Sequence, residues 1–309
     1  MNLAEHIRRL VKEGFSGEIM EGVPLRDYTS LRIGGPCDIM VSPKDPYSLK
    51  LLLEFLKRNS IDYFVLGGGT NIVVSDEGFR GVVITLRHWQ RIEPVQSEVD
   101  EVTIFVLSGT SVGMLLSYAR DRGLSGLEGL VGIPGTVGGA VVGNAGAFGY
   151  EFLDVVDRIT IISETAMDVI KKDDISYGYR QTSINSPVIA VHLKLRKADP
   201  EDIKTKMKEF LAEKKRTQPL DMLSAGCVFK NPQQAPAGKL IDEAGLKGYR
   251  IGDIQVSEKH ANFFVNLGKG TAEQFVRLME TVIERVHQRF SITLEPEVKL
   301  LGFEYAGNR

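Results

Sequence analysis

Between Tyr47 and Asn59, Leu49, Leu52, Leu53 and Leu56 recur at helical steps while Lys50, Lys57 and Arg58 occupy the other positions, which predicts a helix with one buried stripe. Tyr63–Leu66 is a short apolar run that predicts a buried strand; it leads into Gly67-Gly68-Gly69-Thr70-Asn71, followed by a second β-branched run, Ile72–Ser75. Gly81–Leu86 and Val102–Leu107 predict further strands, with the charged piece Glu93–Glu101 as a turn or hairpin link between them. Val112–Arg122 returns to helical spacing through Val112, Leu115, Leu116 and Ala119, and Val155–Ile162 and Val188–Leu195 then predict strands. At Ala198-Asp199-Pro200 the chain has a capping residue and a proline suited to a first helical position, and a charged amphipathic helix follows as far as Arg216. Ala272–Phe290 directs Phe275, Leu278, Met279, Val282 and Val286 to one face, flanked by strand-like Ala261–Leu267 and Glu297–Leu301. Helices and strands interleave throughout, so the class is α+β or α/β with mixed sheets, and a domain boundary is expected near residue 199.

One stretch fits neither period. Between Gly126 and Gly139, glycine stands at 126, 129, 132, 135, 138 and 139, in a chain of 309 residues that holds 32 glycines. Glycine at this density leaves backbone N–H groups bare and permits positive φ, and both suit close approach to a phosphate. The strand–GGGTN–strand unit has the same logic, with Thr70 and Asn71 adding polar contacts. Neither tract is a Walker A loop, since no Gly-Lys-Ser/Thr follows, and GGGTN does not open a helix as a Rossmann fingerprint would. Tight turns and close-packed backbone are the competing account. Basic residues are scarce in both tracts, so a ligand here would be a large nucleotide whose pyrophosphate is met by neutral donors.

Charge and composition narrow the partners. Lys+Arg 38 against Asp+Glu 40 gives a net charge of -2, which exerts no global pull on nucleic acid or anionic membrane. Gly129–Tyr150 carries no charge, yet its glycines and Pro134 make it a poor lipid-facing helix, so no membrane insertion is expected. The N-terminal MNLAEHIRRLVKEGF has no apolar signal-peptide core, and Cys37 and Cys227 are too few for a disulfide framework, so a cytoplasmic protein is expected.

Polar groups that no turn requires gather in Tyr177-Gly178-Tyr179-Arg180, in Ser224–Pro232 and in Leu294–Val298. Taken alone, Arg180 reads as a surface ion pair, Cys227 as a small buried hydrophobe and Glu297 as a solvated strand end. Together with TSLRIGGP (Thr29–Pro36), VLGGGTN (Val65–Asn71), GLEGLVGIPGTVGGAVVGNAGAFG (Gly126–Gly149), YGYRQT, KKRTQPL (Lys214–Leu220), SAGCVFKNP, Ala244–Asn266 and LEPEV, in that order, the chain resembles the UDP-N-acetylenolpyruvoylglucosamine reductase family.

That resemblance implies an α+β protein: a two-subdomain FAD-binding fold of the vanillyl-alcohol-oxidase (PCMH) type plus a C-terminal α/β substrate domain. The expected divisions are 1–66, rejoined by 298–309, for the first FAD subdomain, 67–199 for the second and 200–297 for substrate. The short connection from Arg180 to Ser224 leaves no room for the extra substrate-clamping loop of one family branch. It implies an FAD-dependent oxidoreductase that uses NADPH to reduce a UDP-sugar enolpyruvyl ether in peptidoglycan synthesis, acting as a monomer and without metal. Cofactor contacts would come from Gly67, Gly68, Gly69, Thr70 and Asn71, and from Gly132, Ile133, Pro134, Gly135, Gly138, Gly139, Asn144 and Ala145. Arg180 would grip the substrate carboxylate, since a guanidinium stays charged and binds bidentately. Glu297 would stabilise the enol if burial raises its pKa. The family's usual proton donor is serine; here Cys227 stands in its place, and a thiol is a stronger acid than an alkanol. Lys230, Asn231 and Arg216 would meet the substrate diphosphate, and His260 would be structural. Another FAD-dependent oxidase or dehydrogenase on the same scaffold, and a non-catalytic nucleotide-binding module, are the rival readings.

Overall fold

The leucine stripe at Tyr47–Asn59 becomes the helix Pro46–Arg58, started by Asp45, whose side chain accepts from Ser48 N at 2.7 Å, with Pro46 in the first turn. Leu49, Leu52, Leu53 and Leu56 are buried, and removing each from water contributes roughly 2 kcal/mol. The computed structural model describes residues 3–303. They divide into two units: Met1–Glu21, Ile39–Gly68 and Gly81–Glu213 form the first, and Gly22–Asp38, Gly69–Arg80 and Lys214–Arg309 the second.

The first unit holds two cores. In one, the leucine helix packs with Ile39, Val41, Val82 and Ile84, from a sheet ordered Gly17–Pro24, Pro36–Pro43, Phe79–Thr85, Tyr63–Leu66. Tyr63–Leu66 and Phe79–Thr85 run parallel, Leu66 opposite Thr85, so the glycine turn begins at the sheet's edge. The other core lies under a largely antiparallel sheet ordered Met167–Lys171, Val156–Ile162, Val188–Lys197, Glu101–Leu107, Ile92–Ser97. Val102, Ile104 and Val106 alternate inward, and the helices Val112–Asp121 and Val137–Val142 contribute Leu115, Leu116, Val137 and Val141 to the same core. Glu93–Glu101, expected as a link, instead supplies most of the edge strand Ile92–Ser97, and Met167–Lys171, for which the pattern predicts no strand, forms the other edge. Both have mostly exposed residues, so no apolar alternation marks them, and an edge tolerates Pro94.

The second unit is built on a sheet ordered Leu223–Cys227, Phe263–Asn266, Ile254–Val256, Arg250–Ile251. The helix Ala272–Phe290 packs Phe275, Leu278, Met279, Val282 and Val286 into its core. Its start is fixed twice: Thr271 and Gln274 form a capping box, and Asp76 accepts from Ala272 N at 2.9 Å and Glu273 N at 3.0 Å. Lys299–Leu301 pairs in parallel with Ile72–Val74. This strand starts two residues later than the expected Glu297, because Glu297 N is taken by Val228 O at 2.7 Å. Residues 304–309, the end of the expected 298–309 return, lie outside the described residues. No described helix is long and apolar enough to cross a membrane.

Candidate active site

In the first unit the two glycine tracts touch backbone to backbone. A Cβ on Gly68 would fall 2.4 Å from Gly135 Cα, and one on Gly67 would fall 2.8 Å from Thr136 Oγ1. Thr136 caps the short helix Val137–Val142. Gly138 answers to packing, since a Cβ there would meet Ser108 Cβ at 2.8 Å. Gly132, Pro134 and Gly139 are exposed, and Gly132 and Gly135 have φ of 77° and 117°. The N–H groups of Gly67, Gly68, Gly132 and Gly135 have no acceptor among the described residues. Bare amides beside side-chain-free backbone make a surface that accepts an anion's oxygens.

Arg180 belongs to the same unit. It occupies the turn between the strands Tyr177–Gly178 and Gln181–Thr182, at φ 58°. Its side chain, 19% exposed, donates to Asn144 O at 3.3 Å and to Gly146 O at 2.5 Å, and Glu151 Oε1 lies 3.9 Å away. Asn144 is buried and spent within the protein: Nδ2 donates to Glu151 Oε2 at 2.7 Å and Gly178 O at 3.1 Å, and Oδ1 accepts from Leu153 N at 3.1 Å. Thr182 Oγ1 donates to Val142 O at 2.8 Å. The segment that ends the second glycine tract thus carries the arginine hairpin, and the amide of Asn144 ties the two together.

The segments that carry Cys227 and Glu297 run side by side in the second unit. Gly226, at φ 76°, sits in the register shift of the Leu223–Cys227 strand, which re-aims the residue after it. Phe229 bridges Pro296, Lys230 N donates to Glu295 O at 2.8 Å, and Glu297 N donates to Val228 O. The tail of the glycine turn joins this cluster. Asn71 Nδ2 donates to Glu297 O at 3.2 Å, Ser30 N donates to Gly69 O at 2.9 Å, and Ser30 Oγ donates to Ser224 O at 2.7 Å. Gly69 is needed there because a Cβ would fall 1.9 Å from Tyr28 O.

The remaining expected residues are scattered in role. Lys230 is ion-paired with Glu295, Asn231 Oδ1 accepts from Ala237 N at 2.9 Å at the start of the helix Ala237–Glu243, and Arg216 is exposed. His260 sits against Phe263 and accepts at Nδ1 from Asn262 N, and burial lowers its pKa. Among the described residues no group of three His, Cys, Asp or Glu side chains could hold a metal. Sequence reasoning missed Ser30, Arg87, Glu151 and Asn262. Asn262 is buried, accepting from Phe229 N at 2.9 Å and donating to Phe229 O at 2.8 Å, so it clasps the strand just past Cys227. Ser30 and Asn262 lie inside segments that carried the resemblance, and Glu151 follows one closely; Arg87 had no signal beyond following a strand.

Residues 37–166 match the family model described as FAD binding domain, and the protein is an FAD-dependent oxidoreductase with a PCMH-type fold and a further C-terminal domain. Residues 218–301 match the model described as UDP-N-acetylenolpyruvoylglucosamine reductase, C-terminal domain. The chain is 42% identical to UDP-N-acetylenolpyruvoylglucosamine reductase 2 of Symbiobacterium thermophilum, over 97% of each chain. It is 39% identical to the reductase of Syntrophus aciditrophicus, over 96% of each. The crystal structure of the Thermus caldophilus reductase superposes with a TM-score of 0.79 at 36% identity, covering 93% of this chain and 99% of that one. The chain belongs to the UDP-N-acetylenolpyruvoylglucosamine reductase family.

The glycine contacts fit the diphosphate of FAD, which needs close backbone and open N–H groups and would be crowded by any side chain at Gly68. Gly68→Ala is accordingly expected to lose most bound FAD, because the new methyl meets backbone that cannot swing aside. The ratio of visible flavin absorbance to protein absorbance, read beside a melting curve, checks this; a fully loaded variant would refute it.

Proposed function

We propose that this protein reduces UDP-N-acetylenolpyruvoylglucosamine to UDP-N-acetylmuramate with NADPH as reductant, as a cytoplasmic, monomeric enzyme of peptidoglycan synthesis. The observation that carries this reading is the pairing of Phe229 with Pro296, which sets the Cys227 and Glu297 segments side by side and ties them to Asn71 of the glycine turn. A general FAD oxidase has no call for that cluster, whereas an enolpyruvyl ether needs both a proton and charge stabilisation. We assign residues 200–297 to binding the UDP-sugar.

FAD, when bound, would supply the redox chemistry, by which a hydride from NADPH reaches the enolpyruvyl methylene carbon. The residues deal with the consequences. Negative charge develops on C2 and its carboxylate, and Arg180, a permanent cation held by two carbonyl oxygens, binds that carboxylate. Glu297 steadies the enol from its segment beside Val228. Cys227 Sγ–H gives its proton to C2, completing addition of hydride and proton across the double bond, and solvent reprotonates the thiolate. Lys230 and Arg216 take the substrate diphosphate, Lys230 exchanging its Glu295 partner for phosphate. Asn231, whose Oδ1 accepts from Ala237 N, lies beside Lys230 and completes this diphosphate-binding segment.

An anaerobic titration tests the reading. NADPH is expected to bleach the flavin, and one equivalent of UDP-N-acetylenolpyruvoylglucosamine to restore its colour with formation of UDP-N-acetylmuramate. Flavin that regains colour with oxygen but not with the enolpyruvyl nucleotide would overturn it in favour of an oxidase.

A further inference from the structure

The carbonyl side of the glycine turn is held by a guanidinium that belongs to neither tract. Arg87 is half-buried, and it donates Nε–H to Gly67 O at 3.1 Å and Nη2–H to Gly68 O at 3.3 Å, all within the first unit. All peptide bonds among the described residues are trans. In a trans peptide the N–H points opposite to the C=O of the same plane. Holding Gly67 O therefore sets the direction of Gly68 N–H, and holding Gly68 O sets that of Gly69 N–H. Both N–H groups face away from the guanidinium, and neither has an acceptor among the described residues. The next carbonyl, Gly69 O, is held by Ser30 N within the second unit.

Consecutive glycines have the widest conformational freedom of any sequence, so amides in such a turn are poor fixed donors unless something outside the turn orients them. Two hydrogen bonds from a cation do this, and charge-assisted bonds are about twice as strong as neutral ones. A cation on the carbonyl oxygen also polarises the peptide and makes its N–H a stronger donor, as in any chain of hydrogen bonds.

We propose that Arg87 is a positioning residue for this turn: through the Gly67-Gly68 and Gly68-Gly69 peptides it aims and polarises the amides that receive the diphosphate of FAD. The proposal rests on the reading of the turn as the diphosphate site. It explains how a tract without a basic residue of its own can hold a dianion. The charge is placed behind the peptides, where it acts without a flexible side chain entering the turn.

The test compares FAD with riboflavin, which carries the same ring and no phosphate. Flavin-free wild type, Arg87→Met and Arg87→Lys are titrated with each ligand by fluorescence, and the melting temperature of each flavin-free form is recorded. Wild type should favour FAD strongly. Arg87→Met should weaken FAD binding about thirtyfold, on the order of one hydrogen bond to a charged donor, and leave riboflavin binding unchanged. Arg87→Lys can serve one carbonyl and should fall between; it carries the test if the methionine variant does not fold. Equal losses for FAD and riboflavin, or unchanged FAD binding in both variants, would overturn the proposal and leave the diphosphate assignment standing. Wild type that did not distinguish the two ligands would remove the assignment and the proposal together.

Discussion

Cys227→Ala is expected to leave flavin reduction by NADPH at the wild-type rate and to slow reoxidation by the enolpyruvyl nucleotide by about 10²–10⁴-fold, the usual worth of a positioned acid. The two half-reactions separate because only the second needs a proton at C2. Stopped-flow measurement of each half-reaction checks this, and equal reoxidation rates in variant and wild type would remove Cys227 from the role. Cys227→Ser should recover much of the rate, since a hydroxyl can donate from the same place. Alkylation offers a second view. Cys37 is buried, and desolvation pushes its thiol up to about 11, so at neutral pH it stays protonated and shielded while Cys227 is partly exposed. One equivalent of iodoacetamide should therefore label Cys227 and block reoxidation alone. The sign of the Cys37 shift carries its own consequence. The stability it contributes is complete below the unfolded thiol value near 9.0 and is lost as pH rises toward 11.

Arg180→Lys should also be severe, lowering kcat/KM for the enolpyruvyl nucleotide by about 10²–10³-fold while NADPH oxidation by the bound flavin is spared. A lysine keeps the charge but loses the planar fork that meets Asn144 O and Gly146 O and that grips a carboxylate bidentately. Arg180 also holds a left-handed φ of 58°, which a lysine tolerates no better and no worse, so backbone strain is common to both and the difference reports on the side chain. Steady-state kinetics with each substrate separates the outcomes. An unchanged kcat/KM would show that the hairpin arginine does not touch the substrate.

How much of this could be read from the chain alone differs by element. The helices Pro46–Arg58 and Ala272–Phe290 were legible because one face of each is buried and the other wet, and that asymmetry is written into the residue order. Tyr63–Leu66 was legible as a strand from its run of apolar residues beside a glycine triplet, but not buried as expected: it is an edge strand in which Leu66 alone is buried and Tyr63 is exposed. The edge strands Ile92–Ser97 and Met167–Lys171 were not, since an exposed edge imposes no alternation. At the candidate site, Arg180, Cys227 and Glu297 were picked out through a resemblance and not through spacing. Asn144 shows the limit from the other side. It sits in a tract that looked like cofactor contact, and its side chain is consumed by Glu151, Gly178 and Leu153.

By itself the sequence determined where the chain is stripe-forming, where it is bare, and which residues bring chemistry, because burial and glycine's missing Cβ act on each residue locally. Only the tertiary structure decided that Gly68 rests on Gly135, that Glu297 hangs from Val228, and that Arg87 and Ser30 hold the carbonyls of the glycine turn. Each of these is a meeting of segments far apart in the chain. A hydrogen-bond donor's role depends on which acceptor the fold sets before it, and no local pattern carries that information.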